Sequence, residues 1–258
     1  MSVRPKKHLG QHFLTDKNIC RKIADQYGSH KGCSRVLEIG PGMGALTSFL
    51  LENDLDVHVM EIDEESVDYL SENFKQLAGK IYPSDFLKED LNRWMGDEPF
   101  GVVGNFPYNI SSQILFKCID YRNQIPEIMG MFQKEVAQRV AEKPGSKQYG
   151  ILSVLLQAYY DIYYCFTVDE HVFNPPPKVK SGVIRCTRNA TTNLGCDEDL
   201  FKKVVKTSFN QRRKTIRNSL KTIYAGPSID SPLFLERPEQ LSVKDFVELT
   251  NLISKDLK

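Results

Sequence analysis

A glycine-rich segment between a predicted strand and a predicted helix limits the fold of this chain more than any other feature. Residues 35–37 have a strand pattern, residues 38–44 hold Gly40, Gly42 and Gly44, and residues 45–51 have a helical pattern. Glycines let a backbone approach a ligand closely, and the helix start behind them offers unpaired backbone amides. This order is typical of a ligand loop in an α/β fold; a plain turn is the alternative.

The spacing of these glycines bears on the ligand. It differs from the Gly-x-Gly-x-x-Gly pattern of dinucleotide enzymes, and the acidic Glu38 precedes the loop. We expect a carboxylate there to repel a pyrophosphate and to favour a cationic cofactor. A nicotinamide dehydrogenase is therefore disfavoured.

Acidic residues follow the next two predicted strands. Residues 56–61 alternate in polarity and end at Glu61, about 20 positions after the glycine loop, where nucleotide-binding folds place an acid on ribose hydroxyls. Asp63 competes for that role. Asp85 follows the strand pattern of residues 80–82 and is able to accept a hydrogen bond from an adenine amine. Solvated or helix-capping carboxylates are the alternative.

A fourth strand pattern, residues 102–104, leads into Asn105, Phe106, Pro107 and Tyr108. The carboxamide oxygen of Asn105 can accept a hydrogen bond from an exocyclic amine, Pro107 stiffens the turn, and the Tyr108 ring can stack on a base. These properties suit chemistry on the amino group of adenine. A tight turn with a packed ring is the alternative.

An aromatic residue beside three prolines extends this prediction. Prolines at residues 175–177 stiffen the connector that carries Phe173. We expect the Phe173 ring to form a second wall of a base pocket, facing Tyr108. A core phenylalanine beside a proline corner is the alternative.

The rest of the chain continues the alternation and then changes character. Strand and helix patterns run to residue 188, residues 189–195 resemble a linker, and three helical patterns follow at 200–209, 213–224 and 243–255. With 258 residues and 41% hydrophobic content, the chain is long enough for one α/β domain and a small appendage. The predicted domains are residues 1–188 and 189–258.

The six cysteines show no metal-ligand or disulfide spacing, so we expect no metal and a cytoplasmic protein. The first residues lack an apolar stretch after their basic residues, and no later window is apolar enough to cross a bilayer. We therefore expect neither export nor a membrane partner.

Basic residues are concentrated in one segment although the net charge is only +1. Residues 200–222 hold eight Lys or Arg and no Asp or Glu. If residues 213–224 are helical, Arg213, Arg217 and Lys221 share one face, where like charges need compensation. RNA phosphates would supply it, and the basic N-terminal residues 4–7 agree. A solvated basic face is the alternative.

Five ordered blocks together resemble the KsgA/RsmA family of ribosomal RNA adenine dimethyltransferases, and they span nearly the whole chain. They are residues 10–14, 38–44, 105–111, 173–181 and 212–218. The resemblance implies a Rossmann-like class I methyltransferase domain with a small C-terminal all-helical domain. It also implies dimethylation, by S-adenosylmethionine, of two adjacent adenosines near the 3′ end of small-subunit rRNA, with rRNA and the immature small ribosomal subunit as partners.

Site residues follow from the resemblance by position. The expected cofactor contacts are His12, Leu14, Gly40, Gly42, Glu61, Asp85 and Asn105. The expected catalytic group is Asn105, Phe106, Pro107, Tyr108 and Phe173. The expected RNA contacts are Arg212, Arg213, Lys214, Arg217 and Lys221. Family members often have asparagine at the position of His12 and leucine at that of Phe106, which makes the side-chain contact of His12 the less secure one.

Two relatives of the predicted function stay open. An Erm-type methyltransferase acting on a large-subunit adenosine shares the glycine and 105–108 motifs, although the proline-rich block and residues 212–214 favour KsgA/RsmA. A non-catalytic RNA-binding assembly factor would keep the same fold without turnover.

Overall fold

The structure is a computed structural model that describes residues 3–27, 33–224 and 230–256. Within these ranges the chain forms nine β-strands and ten α-helices. The strands are β1 (Phe13–Leu14), β2 (Arg35–Ile39), β3 (Asp56–Glu61), β4 (Ile81–Pro83), β5 (Gly101–Asn105), β6 (Glu127–Gln133), β7 (Tyr160–Val168), β8 (Phe173–Asn174) and β9 (Ser181–Arg188). The helices are α1 (Lys17–Gln26), α2 (Thr47–Glu52), α3 (Glu64–Asn73), α4 (Leu91–Met95), α5 (Ser111–Asp120), α6 (Lys134–Ala141), α7 (Ile151–Gln157), α8 (Glu198–Asn210), α9 (Ile216–Ser219) and α10 (Val243–Asp256).

Seven strands form one sheet in the order β4-β3-β2-β5-β6-β9-β7. The five strands from β4 to β6 in that order are parallel, and β9 runs antiparallel to β6. Parallel strands are covered by helices on both faces, so their side chains are apolar on both sides. Val36, Leu37, Val102 and Val103 meet this requirement because all four are fully buried. The predicted Rossmann-like α/β fold is confirmed.

The strand order reverses between β2 and β5. From β2 the chain builds outward through β3 and β4, and it then returns to place β5 on the other side of β2. Loops that leave two such strands diverge to opposite faces and open a crevice, which is where ligands bind in this class of fold. The glycine loop after β2 and Asn105 at the end of β5 both lie at this point.

The described chain groups into two compact units, residues 1–137 with 162–188 and residues 138–161 with 189–258. The second unit is built on α8 and α10, whose Phe209 and Phe246 rings lie 5.9 Å apart, with Tyr149 at 6.2 Å from Phe209. The helical C-terminal region is thus confirmed, while the boundary at residue 188 stays a prediction. Among the described helices, none has the length and apolarity needed to cross a bilayer.

The helix predicted for residues 213–224 is wrong. Residues 211–214 form a turn, α9 covers only four residues, and a 3₁₀ turn follows at Leu220–Thr222. The backbone is extended at Thr215, which lets Ile216 become fully buried and its N–H donate to the Glu236 carbonyl at 2.8 Å. Arg213 therefore lies outside α9, and the predicted basic helix face does not form.

Candidate active site

A cavity of about 1020 Å³, counted with its open mouth, lies at the carboxyl ends of β2, β3, β4 and β5. Its wall is formed by residues 8–13, the glycine loop, the ends of β3 and β4, and residues 105–110. We call residues 6–13 the arm.

The glycine loop is held to β3 by a backbone hydrogen bond. The N–H of Gly40 donates to the Met60 carbonyl at 2.9 Å. Gly42 has φ +56°, and a Cβ there would lie 2.7 Å from the Phe13 ring. The loop therefore needs glycine at position 42 both for its conformation and for its contact with the arm.

Glu61 ends β3 at the cavity wall, where sequence reasoning placed it. One carboxylate oxygen accepts the N–H of Gly42 at 3.0 Å, and the other accepts those of Ile62 and Asp63 at 2.9 and 3.0 Å. Burial raises the pKa of Glu61, and these three amides offset part of that rise. The amides fix the carboxylate, and its remaining lone pairs can accept ribose hydroxyls.

Asp85 also reaches the cavity wall. Its Oδ1 accepts the N–H of Leu87 at 3.0 Å, and Lys88 lies 3.4 Å from Oδ2. The side chain is 26% exposed, so a ligand can contact it.

Glu38 does not line the cavity. It is 1% exposed and accepts a hydrogen bond from Thr47 Oγ1 at 2.6 Å. Burial raises the pKa of Glu38 to about 8, against the opposing effect of the Thr47 hydroxyl. Burial favours the protonated form of this side chain, and Glu38 does not contact the cavity, so the structure does not place its charge where it could select the ligand.

Asn105 stands at the end of β5 with its amide orientation fixed. Its Nδ2 donates to the backbone carbonyl of His12 at 2.8 Å. Because the nitrogen side of the amide is used in this way, the oxygen side is left for a ligand in the cavity.

The Phe106 ring anchors the loop that follows. It is 1% exposed, packs edge-on against Phe132 at 5.1 Å between centroids, and occupies the space above Gly104 and Gly130. These two glycines face each other in the β5–β6 register. The ring is thus buried in the core, so only the backbone of Phe106 is placed to meet a ligand.

Tyr108 lies on the cavity wall. Its ring stacks on His12 with centroids 5.5 Å apart, and its hydroxyl is hydrogen-bonded to Ser181. His12 Nδ1 in turn lies 2.7 Å from the Pro175 carbonyl oxygen. Both rings are therefore held in fixed orientations at the cavity.

The cavity brings together nine of the predicted residues: His12, Gly40, Gly42, Glu61, Asp85, Asn105, Phe106, Pro107 and Tyr108. It does not bring Leu14 and Phe173 to its wall. These two residues pair with each other in the β1–β8 sheet and are 6% and 4% exposed in the apolar core. A stacking role for Phe173 would require its ring to be uncovered, so that role stays a prediction.

Comparison with known proteins identifies the family. The family model described as ribosomal RNA adenine dimethylase matches residues 3–255. This chain belongs to that family. It is 60% identical over 258 residues to ribosomal RNA small subunit methyltransferase A of Parabacteroides distasonis, with 99% of this chain and 96% of that protein covered. The protein of the same name from Cytophaga hutchinsonii is 59% identical, with 98% of each chain covered.

Solved structures agree with this family. A dimethyladenosine transferase from Plasmodium falciparum matches with a TM-score of 0.76 and 25% identity, over 95% of this chain and 98% of that one. The 23S rRNA methyltransferase ErmE matches with a TM-score of 0.64 and 25% identity, over 93% and 99%. As a member of the dimethylase family, the chain is a methyltransferase that uses S-adenosylmethionine.

The cavity of this dimethylase suits that cofactor. Among its described lining residues there are two carboxylates, Glu61 and Asp85, and no lysine or arginine. This set suits a ligand with hydroxyls, an amine and a positive charge, whereas a pyrophosphate would find no cation. Elsewhere in the described ranges, no group of three His, Cys, Asp or Glu side chains could hold a metal ion.

The basic residues predicted to bind RNA separate into two groups in the structure. Arg212 donates to the Ser146 carbonyl at 3.1 Å, and Arg217 lies 3.8 Å from Asp230. These contacts brace the second unit. The remaining three are exposed and have no ion pair within the described ranges: Arg213, Lys214 and Lys221.

Sequence reasoning missed part of the cavity wall. The arm contributes residues 8–11, and Ile62, 51% exposed, lies beside Glu61. The block at residues 10–14 was a signal for the arm, although only His12 and Leu14 were assigned there. The available signal for Ile62 was its position directly after Glu61, the predicted ribose ligand.

Proposed function

We propose that this chain dimethylates the N6 atoms of two adjacent adenosines near the 3′ end of small-subunit ribosomal RNA. The observation that carries the proposal is the Asn105 amide, which lines the cavity at the end of β5 and whose nitrogen is bound by the His12 carbonyl, so that its oxygen is left for a ligand. Support for the small subunit comes from relatives of 59% and 60% identity that bear that name. We further propose that the immature subunit in the cytoplasm is the form that is bound.

S-adenosylmethionine supplies an activated methyl group when it is bound. Glu61 would accept hydrogen bonds from its ribose, and Asp85 would accept one from its adenine amine. Gly40 lets the backbone approach closely, since its φ is +66° and a Cβ there would add bulk at the wall. His12 would complete the contacts from the arm side, and a contact from Leu14 would require its buried side chain to be uncovered.

The acceptor amine is held by Asn105 and Phe106. We assign the Asn105 side-chain oxygen and the Phe106 carbonyl as acceptors of the two N6 hydrogens, which favours the geometry and charge of attack. Both groups are preorganised, the first by the His12 carbonyl and the second by the buried Phe106 ring. Alignment of donor and acceptor can supply on the order of 7–11 kcal/mol.

The target base needs a surface on which to stack once it leaves the RNA helix. Tyr108 offers a ring on the cavity wall, and stacking of this kind is worth roughly 1–3 kcal/mol per base. Pro107 fixes the turn that carries the ring. The predicted second wall at Phe173 belongs to this proposal as well.

RNA phosphates would be bound by the second unit. Arg213, Lys214 and Lys221 are exposed and are free of ion pairs within the described ranges. Each neutralised phosphate releases counterions, so this binding would depend on salt. Arg212 and Arg217 would support the surface through their contacts inside the unit.

A large-subunit substrate is the second candidate, because ErmE matches this chain with a TM-score of 0.64. Purified protein and methyl-labelled S-adenosylmethionine, incubated with small or large subunits that lack the modification, distinguish the two. We expect label in two adenosines of the small subunit, and none with Asn105→Ala. The exposed Asn92→Ala serves as a matched control with normal transfer. Label confined to large subunits, or no label at all, would refute the proposal.

A further inference from the structure

The arm forms one wall of the cofactor cavity, and its conformation is set by few internal bonds. Its residues 8–13 all line the cavity. The N–H of Lys6 donates to Gln11 Oε1 at 2.7 Å, and Gly10 closes a 3₁₀ turn with φ +66°. Three internal hydrogen bonds and a single turn hold residues 6–11 together, so the position of this part of the arm depends on its contacts with the rest of the unit.

Asp63 holds the N-terminal end of the arm. The other end is held separately, through His12 and through the β1–β8 pairing of Phe13. Its side chain is 0% exposed. One oxygen is bound by Lys6 Nζ, and the other accepts Gln11 Nε2 at 3.3 Å and Ser66 Oγ at 2.9 Å. Two of these three donors belong to the arm, and the third lies within α3. Asp63 therefore joins the arm to the start of α3.

The charge of Asp63 depends on this attachment. Burial by itself would raise the pKa of Asp63, but the hydrogen bonds from Lys6, Ser66 and Gln11 outweigh it and hold the pKa below its ordinary value. A buried carboxylate that loses its cation is left without compensation. Lys6 also lies 3.2 Å from Glu65, so it is the single cation shared by two acids here.

The arm and Asp63 contact groups on two sides of the cavity. The His12 carbonyl accepts from Asn105 Nδ2 at 2.8 Å, and the Asp63 N–H donates to Glu61 at 3.0 Å. Displacement of the arm would thus remove one cavity wall and release the amide of Asn105. Lys6 and Asp63 themselves do not line the cavity.

We propose that Lys6 and Asp63 form a latch that holds the arm closed on the cofactor cavity and so positions Asn105. Both are positioning residues that contact neither ligand. This inference rests on the proposed function only for the identity of the ligand. Lys6 is therefore assigned to holding the arm at the cofactor cavity. The sequence instead predicts that the basic residues 4–7 contact RNA phosphates.

The test compares Lys6→Met with Lys6→Arg and with Arg21→Met. Arg21 pairs with Glu52 at 2.9 Å on the surface of the same unit, with both side chains about half exposed, so its loss removes a cation and an ion pair away from the cavity. Binding of S-adenosylhomocysteine is measured by calorimetry, and hydrogen exchange of the backbone amides of residues 8–13 is measured without ligand. Melting temperatures are recorded for all variants.

We expect Lys6→Met to raise the Kd for S-adenosylhomocysteine about tenfold, because the binding-competent closed arm becomes a minor population. Opening of the arm would expose Asp63 to water and relieve its unpaired charge, so exchange in the arm should accelerate with little change in the melting temperature. Lys6→Arg should restore both properties, and Arg21→Met should leave both unchanged. Asp63→Asn should repeat the effect of Lys6→Met if it folds.

Equal Kd and equal arm exchange in Lys6→Met and the wild type would overturn the latch. So would a loss of binding that only tracks the melting temperature. The proposed function is tested separately from the latch. A wild type that binds S-adenosylhomocysteine and methylates no rRNA would refute the proposed function. The binding and exchange of the variants would still test the latch in that case.

Discussion

Replacing Gly130 with alanine should disable the acceptor loop from a position that no ligand touches. An ideal Cβ at residue 130 would lie 2.1, 2.6 and 2.9 Å from the Cε2, Cδ2 and Cζ atoms of Phe106. Ordinary contacts to a Cβ begin near 3.4 Å, so the ring must move by about 1.3 Å. Phe132 packs against its other side and limits where it can go.

Two magnitudes follow from this displacement. Overpacking a filled core costs about 1–3 kcal/mol in the free energy of unfolding. The Phe106 carbonyl and Asn105 move with the ring, and a misplacement of about 1 Å in a catalytic group can reduce the rate about 100-fold. We therefore expect a loss of kcat far larger than the loss of stability would explain.

Urea unfolding and single-turnover methyl transfer measure the two effects. Gly150→Ala is the matched control, because its added Cβ would meet nothing closer than 3.7 Å. Adding Phe106→Leu to Gly130→Ala removes two of the three clashing atoms and should recover part of the rate. A Gly130→Ala variant with the turnover of the wild type would refute the assigned role of the ring.

Three further predictions concern the cavity and the RNA surface. Burial raises the pKa of Glu38 to about 8 from 4.5, so the folded protein keeps a proton that the unfolded chain releases. As pH rises from 4.5 through 8, the wild type should therefore lose stability relative to Glu38→Gln, as measured by urea unfolding. Parallel pH profiles of the two proteins would contradict this. Tyr108→Ala should weaken the binding of the target adenosine by about 1–3 kcal/mol, while Tyr108→Phe, which loses only the bond to Ser181, should bind nearly normally in a competition assay; equal affinities would argue against stacking. Charge reversal at Arg213 and Lys214 should weaken rRNA binding and lower its salt slope by about 2 without affecting cofactor affinity, and an unchanged slope would exclude phosphate contacts there.

The sequence predicts the sheet side of the cavity well, for a physical reason. Gly40, Glu61, Asp85 and Asn105 each follow an apolar strand pattern, and parallel strands place such positions along one sheet edge. The local strand pattern is therefore enough to predict that these four residues lie at the cavity.

The arm side of the cavity depends on long-range pairing that a local pattern does not reveal. β1 and β8 have two residues each and pair Leu14 with Phe173 across the chain. Two-residue strands carry no period that could be recognised, and the β1–β8 sheet is what buries Phe173. The contact of Asp63 with Lys6 is equally remote in sequence, so Asp63 resembled a second ribose ligand.

Charge was predicted less well than position. The raised pKa of Glu38 follows from its burial, against the opposing effect of the Thr47 hydroxyl, and burial cannot be read from a residue type. The helical pattern of residues 213–224 predicted one basic face for Arg213, Arg217 and Lys221, yet the backbone is extended at Thr215, before the buried Ile216. Arg217 is paired with Asp230, beyond the basic segment itself.

The central claim is that the Asn105 amide presents adenosine N6 for two rounds of methyl transfer on small-subunit rRNA. Mass spectrometry of the 3′-terminal fragment of that rRNA, from cells whose only copy of this protein is wild type or Asn105→Ala, tests it most directly. The account predicts two adjacent N6,N6-dimethyladenosines with the wild type and unmodified adenosines with the variant. Equal dimethylation in both, or none with the wild type, would contradict it.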